Sequence, residues 1–270
     1  MLVRSLESAA NGMLALIDMN DNTANNLANV NTTGYKKSEL TFKNVMDAAV
    51  YQSEGTVLRG NCRYLGNLSL GSETMRLTRD FSQGATAKTN NKLDLAIEGD
   101  GFFKIQDRDG NIAYTRNGSF CLNKESFLVT KEGDYVLDNM NQRISVWNED
   151  MEIRNKMDIV ITEDGMMELN DNNGVKIPLQ TIGIWDFKDK ENLFEVNSTR
   201  YLPKNPDENP AIPAERFAVQ QGMLEMSNVS VIREMINTIS TSRNYESLSK
   251  LVSENSEMIS TAISVGRIRR

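Results

Sequence analysis

Apolar and small residues recur along Leu2, Leu6, Ala9, Met13, Leu16, Asn20, Thr23, Leu27 and Val30 in alternating steps of four and three. This spacing predicts a helix with a narrow heptad stripe, interrupted by the polar Asn20 and suited to packing on another helix. At 1.5 Å per residue the helix would extend roughly 43 Å. Gly12 is its weak interior position, costing on the order of 1 kcal/mol against Ala. Asn20, Asn22, Asn25, Asn26, Asn29 and Asn31 crowd its end, although Asn competes for backbone hydrogen bonds and is a mediocre helix former. Thr32-Thr33-Gly34 then supplies the residues of a helix stop. A second seam follows Val229, Ile232, Ile236 and Ile239, slips at Ser242-Arg243, and resumes at Tyr245, Leu248, Val252, Met258 or Ile259, and Ala262. Residues 225–265 contain neither Pro nor Gly, so this helix would extend roughly 60 Å.

Between the helices the period changes. Residues 38–90 hold short apolar runs among Gly55, Gly60, Gly66, Gly71 and Gly84, which predicts extended connecting chain with a strand or two. Leu93 to Glu98 alternates with period two, and Gly99-Asp100-Gly101 separates it from Phe102-Phe103-Lys104-Ile105, which predicts strand, turn and strand. Turn residues recur at Asp109-Gly110, Asn117-Gly118, Glu132-Gly133, Asp164-Gly165 and Asn173-Gly174, each beside a short β-prone run. An antiparallel meander or small barrel follows. Pro203, Pro206, Pro210 and Pro213 predict a semi-rigid connector leaving it.

The fold class expected is therefore α+β: long N- and C-terminal helices forming a coiled-coil-like pair and flanking one mainly antiparallel β domain. The segments expected are an N-terminal assembly helix with its stop over 1–45, an extended connector over 46–90, a β-rich domain over 91–200, a Pro-containing return over 201–224 and a C-terminal assembly helix over 225–270.

Composition narrows the function. The net charge of −7 opposes a nucleic-acid or anionic-membrane binder, and the charge sits in the middle of the chain, since residues 1–45 balance four basic against four acidic groups. The absence of His removes His-dependent triads and His metal sites. Cys62 and Cys121 fit no metal spacing and read as incidental thiols or, alternatively, a disulfide. No apolar run approaches the ~20 residues of a membrane span, and the N-terminus has no apolar core of a cleavable signal peptide. Carboxylates at Asp94, Glu98, Asp100, Asp107, Asp109, Asp134 and Asp138 fall at turns, where turn chemistry explains them before an acid–base pair does. Asp107-Arg108-Asp109-Gly110 has its Gly too early for a calcium loop and reads as a hairpin turn. Ser247-Leu248-Ser249-Lys250 matches Ser-x-x-Lys without companion motifs. Arg267, Arg269 and Arg270 complement a helix dipole. No catalytic constellation, cofactor site or metal site emerges. Two helical seams remain, as an intramolecular hairpin or as assembly surfaces.

The run Ala24-Asn25-Asn26-Leu27-Ala28-Asn29-Val30-Asn31-Thr32-Thr33-Gly34-Tyr35-Lys36 resembles the N-terminal signature of the bacterial flagellar rod and hook axial proteins. Gly222 to Val229, Glu234-Met235 and Arg243-Asn244-Tyr245-Glu246 resemble its C-terminal partner motif. Leu93 to Phe103 and Tyr114 to Phe120 resemble the family's central β domain. Departures are Ser242, where the family has Gln, and Lys124-Glu125-Ser126-Phe127, which lacks a Gly at the turn. Chain length favours rod over hook.

The resemblance implies a subunit of the basal-body rod, not an enzyme, that polymerises through its terminal helices into a periplasm-spanning shaft and export channel. Its partners would be its own copies, other rod and hook proteins, the flagellar type III export apparatus and the rings around the rod, with no small-molecule substrate. The rival class is a secreted β-domain enzyme on helical stalks. Assembly residues expected are Asn26, Leu27, Asn29, Gly34, Asn228, Glu234, Arg243, Tyr245 and Glu246. Leu27 and Tyr245 would fill seams, the Asn residues would bridge backbones or neighbours, Gly34 would stop the helix, and Glu234 and Arg243 would be intersubunit ion-pair partners.

Overall fold

The computed structural model describes residues 2–44, 48–52, 63–68, 72–146, 159–170, 176–197 and 199–268. Cys62, the Asn173-Gly174 turn, Arg269 and Arg270 lie outside them. Helices form where the heptad steps place them: α1 spans Leu2–Ala28 and α2 spans Val231–Ile268. The chain divides into two units, the first holding Met1–Leu27, Ser38–Thr78 and Val231–Arg270, the second Ala28–Lys37 and Arg79–Ser230.

In the first unit α1 and α2 meet where Gly12 lies: a Cβ there would stand 3.4 Å from Leu248 Cδ1. The region predicted as connector contains strands 38–44, 48–52, 63–68 and 72–79, with 48–52 pairing antiparallel to 63–68.

The second unit is built on strand 102–106. Side chains alternate across a strand, so Phe103 and Ile105 enter one core while Phe102 enters another. The larger core gathers Leu95, Ile97, Phe120, Leu128, Ile144 and Met167 around them. The smaller one is aromatic, with edge-to-face pairs Phe81–Tyr201 at 5.3 Å and Tyr114–Phe187 at 4.8 Å between ring centres. A strand buried on both faces needs partners on both edges. Residues 102–106 pair with 112–115 on one side and, end to end, with 184–186 and 135–136 on the other. The sheet continues through 200–203 to 193–197, and through 128–130 to 120–122.

The sheet is thus antiparallel but departs from a meander. Strand 95–99 pairs with 217–221, with Ile97 opposite Val219, rather than with the next strand in sequence. The turns at Asp107–Gly110, Thr130–Asp134 and Thr162–Gly165 close hairpins as their glycines suggest; Gly110 N–H donates to Asp107 O at 3.0 Å. The hairpin without a Gly closes with Ser126 at φ 61°, held by Asn123, whose Oδ1 accepts from the amides of Glu125 at 2.9 Å and Phe127 at 2.8 Å. The proline-containing return is built into the sheet: Pro203 lies opposite Leu193, and Pro213 opposite Trp185. Cys121 is a free thiol.

Candidate assembly site

The face that α2 buries differs from the seam its hydrophobicity predicts. Its buried or half-buried positions are Asn237 and a heptad stripe, Glu234, Thr238, Thr241, Leu248, Val252, Asn255 and Ile259, that runs through Ser242-Arg243 without a slip. Glu234 is only 1% exposed. Ile232, Ile236 and Ile239 are instead 73%, 57% and 53% exposed, with Met235 open beside them. Two residues along an α-helix turn a side chain by about 200°, so this isoleucine row lies on the side opposite Glu234, Thr238 and Thr241. The predicted seam thus joined the outer face before residue 242 to the inner face after it.

On α1 the half-buried or buried stripe includes Ala9, Met13, Leu16, Thr23 and Asn26, whereas Asn20 is exposed and Leu27 half-buried. Leu14 and Ile17 are exposed. A groove of about 270 Å³ is lined by Leu16, Ile17 and Asn20 of α1 and by Thr241, Ser242, Tyr245 and Glu246 of α2. Arg243 and Glu246 are exposed, and Tyr245 is partly so.

The asparagines find partners within the chain. Asn26 Nδ2 donates to Ser38 O at 2.9 Å while its Oδ1 accepts from Ser38 N–H at 2.9 Å, so one buried amide stands in for a strand neighbour. Asn22 Nδ2 donates to the same carbonyl at 2.9 Å. Asn29 closes a turn, its carbonyl accepting from Thr32 N–H at 3.1 Å. These bonds account for part of the polar excess without a neighbouring molecule.

Gly34 does not stop the helix. α1 ends at Ala28, and Gly34 serves a close passage further on, with φ +71° and a space in which a Cβ would lie 2.4 Å from Asn117 N. It belongs to an N-terminal arm, residues 28–37, that lies in the second unit beside a C-terminal arm, residues 222–230. Gly34 N–H donates to Glu225 O at 2.8 Å, and Lys37 N–H donates to Asn228 Oδ1 at 2.7 Å. Asn228 Nδ2 reaches Asp80 O at 2.8 Å and Ser82 Oγ at 3.0 Å.

Between the arms the Glu225 carboxylate is fully buried among donors. Lys36 Nζ lies 2.6 Å from its Oε1, Gly84 N–H donates to the same oxygen at 2.9 Å, and Arg116 Nη1 lies 3.3 Å from Oε2. Lys36 Nζ also donates to Ser82 O at 2.7 Å, and Arg116 Nη2 to Gly99 O at 2.8 Å. Burial lowers the Lys36 pKa from its ordinary value, and Glu225 opposes that shift. Sequence reasoning singled out Gly34 and Asn228 but not Lys36, Arg116 or Glu225. They stand in or beside the same motifs, but a charge reads as solvated until its burial is known.

The model of the flagella basal body rod protein matches residues 6–36, that of the FlgE/F/G D1 domain residues 96–169, and that of the FlgEFG protein C-terminal region residues 220–265. The flagellar basal-body rod protein FlgG of Borreliella burgdorferi is 35% identical over 272 residues, covering 98% of this chain and all of the relative. FlgG of Bacillus subtilis is 32% identical with the same coverage. FlgF of Caulobacter vibrioides is 32% identical over 90% of this chain and 89% of its own. With its helical ends, its β domain and almost its whole length matched in order, the chain belongs to the flagellar basal-body rod protein family.

Proposed function

We propose that the chain is a structural, non-catalytic subunit of the flagellar basal-body rod, polymerising through its terminal helices into a periplasm-spanning shaft that transmits torque and encloses the export channel. Its neighbours are copies of itself and other rod and hook proteins, within the surrounding rings. It is exported by the flagellar type III apparatus. The observation that carries this reading is the outer face of α2: Ile232, Met235, Ile236 and Ile239 form a continuous apolar row that a single chain leaves open to water. Such a row favours burial against a neighbouring surface, and a contact between unlike faces repeats into an open helical polymer. Leu14 and Ile17 on α1, with the groove beside them, provide unlike apolar surface. Tyr245, Arg243 and Glu246 lie on or near that groove and serve as contact residues, whereas Asn26 and Glu234, both buried, support the helices behind it.

The test replaces Ile236 and Ile239 together by Asp. Both side chains are exposed in the single chain, so its urea stability should change by less than about 1 kcal/mol. In cells lacking the native gene, the variant should fail to restore rods and swimming. Normal motility from this variant would refute assembly through this face.

A further inference from the structure

The two arms are held unequally, and from this we infer an order of docking: the C-terminal arm is the platform, and the N-terminal arm settles only once that platform is in place. The C-terminal arm has a ladder of its own. Met223, Leu224 and Glu225 pair with Lys88, Ala87 and Thr86, and the ladder is extended by Met226 N–H to Ala85 O at 2.8 Å and Gly222 N–H to Asp94 O at 2.8 Å. No residue of 28–37 lies in a strand. The N-terminal arm instead takes bonds from what the C-terminal arm presents: the carbonyl and carboxylate of Glu225 and the side chain of Asn228. Its remaining contacts include Ser82 O and the Asp80 amide, in a segment tied down by Asn228, together with Arg79, which donates to Lys36 O at 3.1 Å, and Asn117, whose Oδ1 accepts from Thr33 Oγ1 at 2.9 Å.

Charge makes the dependence one-way. Without the N-terminal arm, Glu225 still faces Arg116 and the Gly84 amide, so the platform stays neutralised. Without Glu225, docking would bury the Lys36 ammonium beside Arg116 with no carboxylate bonded to it, Asp80 acting only through space, an expensive arrangement. Lys36 and Glu225 are 189 residues apart, and the chain is made from its N-terminus. The first arm therefore waits, undocked, until residues 222–230 have been made, and its ordering reports that the second unit is complete.

Two glycines separate the arms experimentally. A Cβ at Gly84 would lie 2.0 Å from Met226 O, its nearest neighbours belonging to the C-terminal arm; a Cβ at Gly34 has Arg116 and Asn117 as its nearest neighbours. Hydrogen–deuterium exchange on the full chain, read by mass spectrometry, compares peptides over 28–37, 222–230 and the core 95–106. Gly84→Ala, whose closest clash is with the C-terminal arm, should speed exchange about tenfold or more in both arms; Gly34→Ala should do so in 28–37 alone. Protection of 28–37 surviving in Gly84→Ala, or loss of 222–230 in Gly34→Ala, overturns the order. If Gly84→Ala also exposes the core, Glu225→Gln decides: released 28–37 with 222–230 and 95–106 intact supports the order, and a protected 28–37 overturns it.

Discussion

The buried charges around Glu225 permit a quantitative prediction in which two single substitutions, each removing one charge, have unequal effects. The wild-type cluster holds two cations and one anion, a net +1, with side chains almost wholly out of water. Glu225→Gln keeps the shape and an acceptor for the Gly84 amide but raises the buried charge to +2. Removing one partner of a buried pair typically costs about 3–5 kcal/mol, and here two cations lose the same partner. Lys36→Met instead leaves Arg116 and Glu225 as a neutral pair and removes the repulsion between the two cations. It loses the bond to Ser82 O and one charge contact, and should cost about 1–2 kcal/mol. In the double variant a single cation is stranded, so its loss should fall below the sum of the two. Urea unfolding followed by the fluorescence of the two tryptophans, Trp147 and Trp185, measures all three. The pH dependence provides a check on sign. Because burial lowers the Lys36 pKa, the unfolded chain holds more protons than the folded chain just below pH 10.5, and this group's contribution makes stability rise with pH there. Glu225→Gln removes the opposing carboxylate and should steepen that rise. A loss below about 1 kcal/mol for Glu225→Gln, or a larger loss for Lys36→Met than for Glu225→Gln, would refute the account.

Ser126 occupies the left-handed region without being glycine, so Ser126→Gly should stabilise the hairpin by up to ~1 kcal/mol and Ser126→Val should destabilise it by ~1–2 kcal/mol, both visible as shifts in Tm. Burial raises the Tyr114 pKa to about 12, and Tyr201, in the same aromatic core, is raised as well. The stability these phenols contribute is complete below their unfolded pKa near 10 and is lost as pH rises through the folded values. Tyr114→Phe should therefore flatten the fall in urea stability between pH 10 and 12, and an unchanged slope would show that burial of this hydroxyl is not the cause.

What the sequence disclosed depended on whether a signal was local. Heptad steps located both helices, and glycine beside an acidic residue marked hairpins at 107–110 and 162–165, because those conformations are set by residues a few positions apart. Partnering was less accessible. Nothing in Leu95–Gly99 specifies Phe217–Gln221 as its neighbour, and a match to the family's motifs gave no hint that Lys36 and Glu225 meet. The helix face misled for an informative reason: hydrophobicity marked Ile232, Ile236 and Ile239 as a seam, yet the chain buries Glu234, Thr238 and Thr241 in their place. A periodicity argument finds surfaces that avoid water; it does not say whether the cover comes from the same chain.

That inversion has a mechanical meaning. Within one subunit the first half of α2 turns Glu234, Thr238 and Thr241 inward, while its isoleucine row is kept for outside. In a shaft built by burying that row, the apolar contacts of this half of the helix run between molecules rather than inside each one. Twisting such a shaft would load the joints before it deformed the parts, and its stiffness would belong to the lattice, appearing only after enough neighbours had joined to close it.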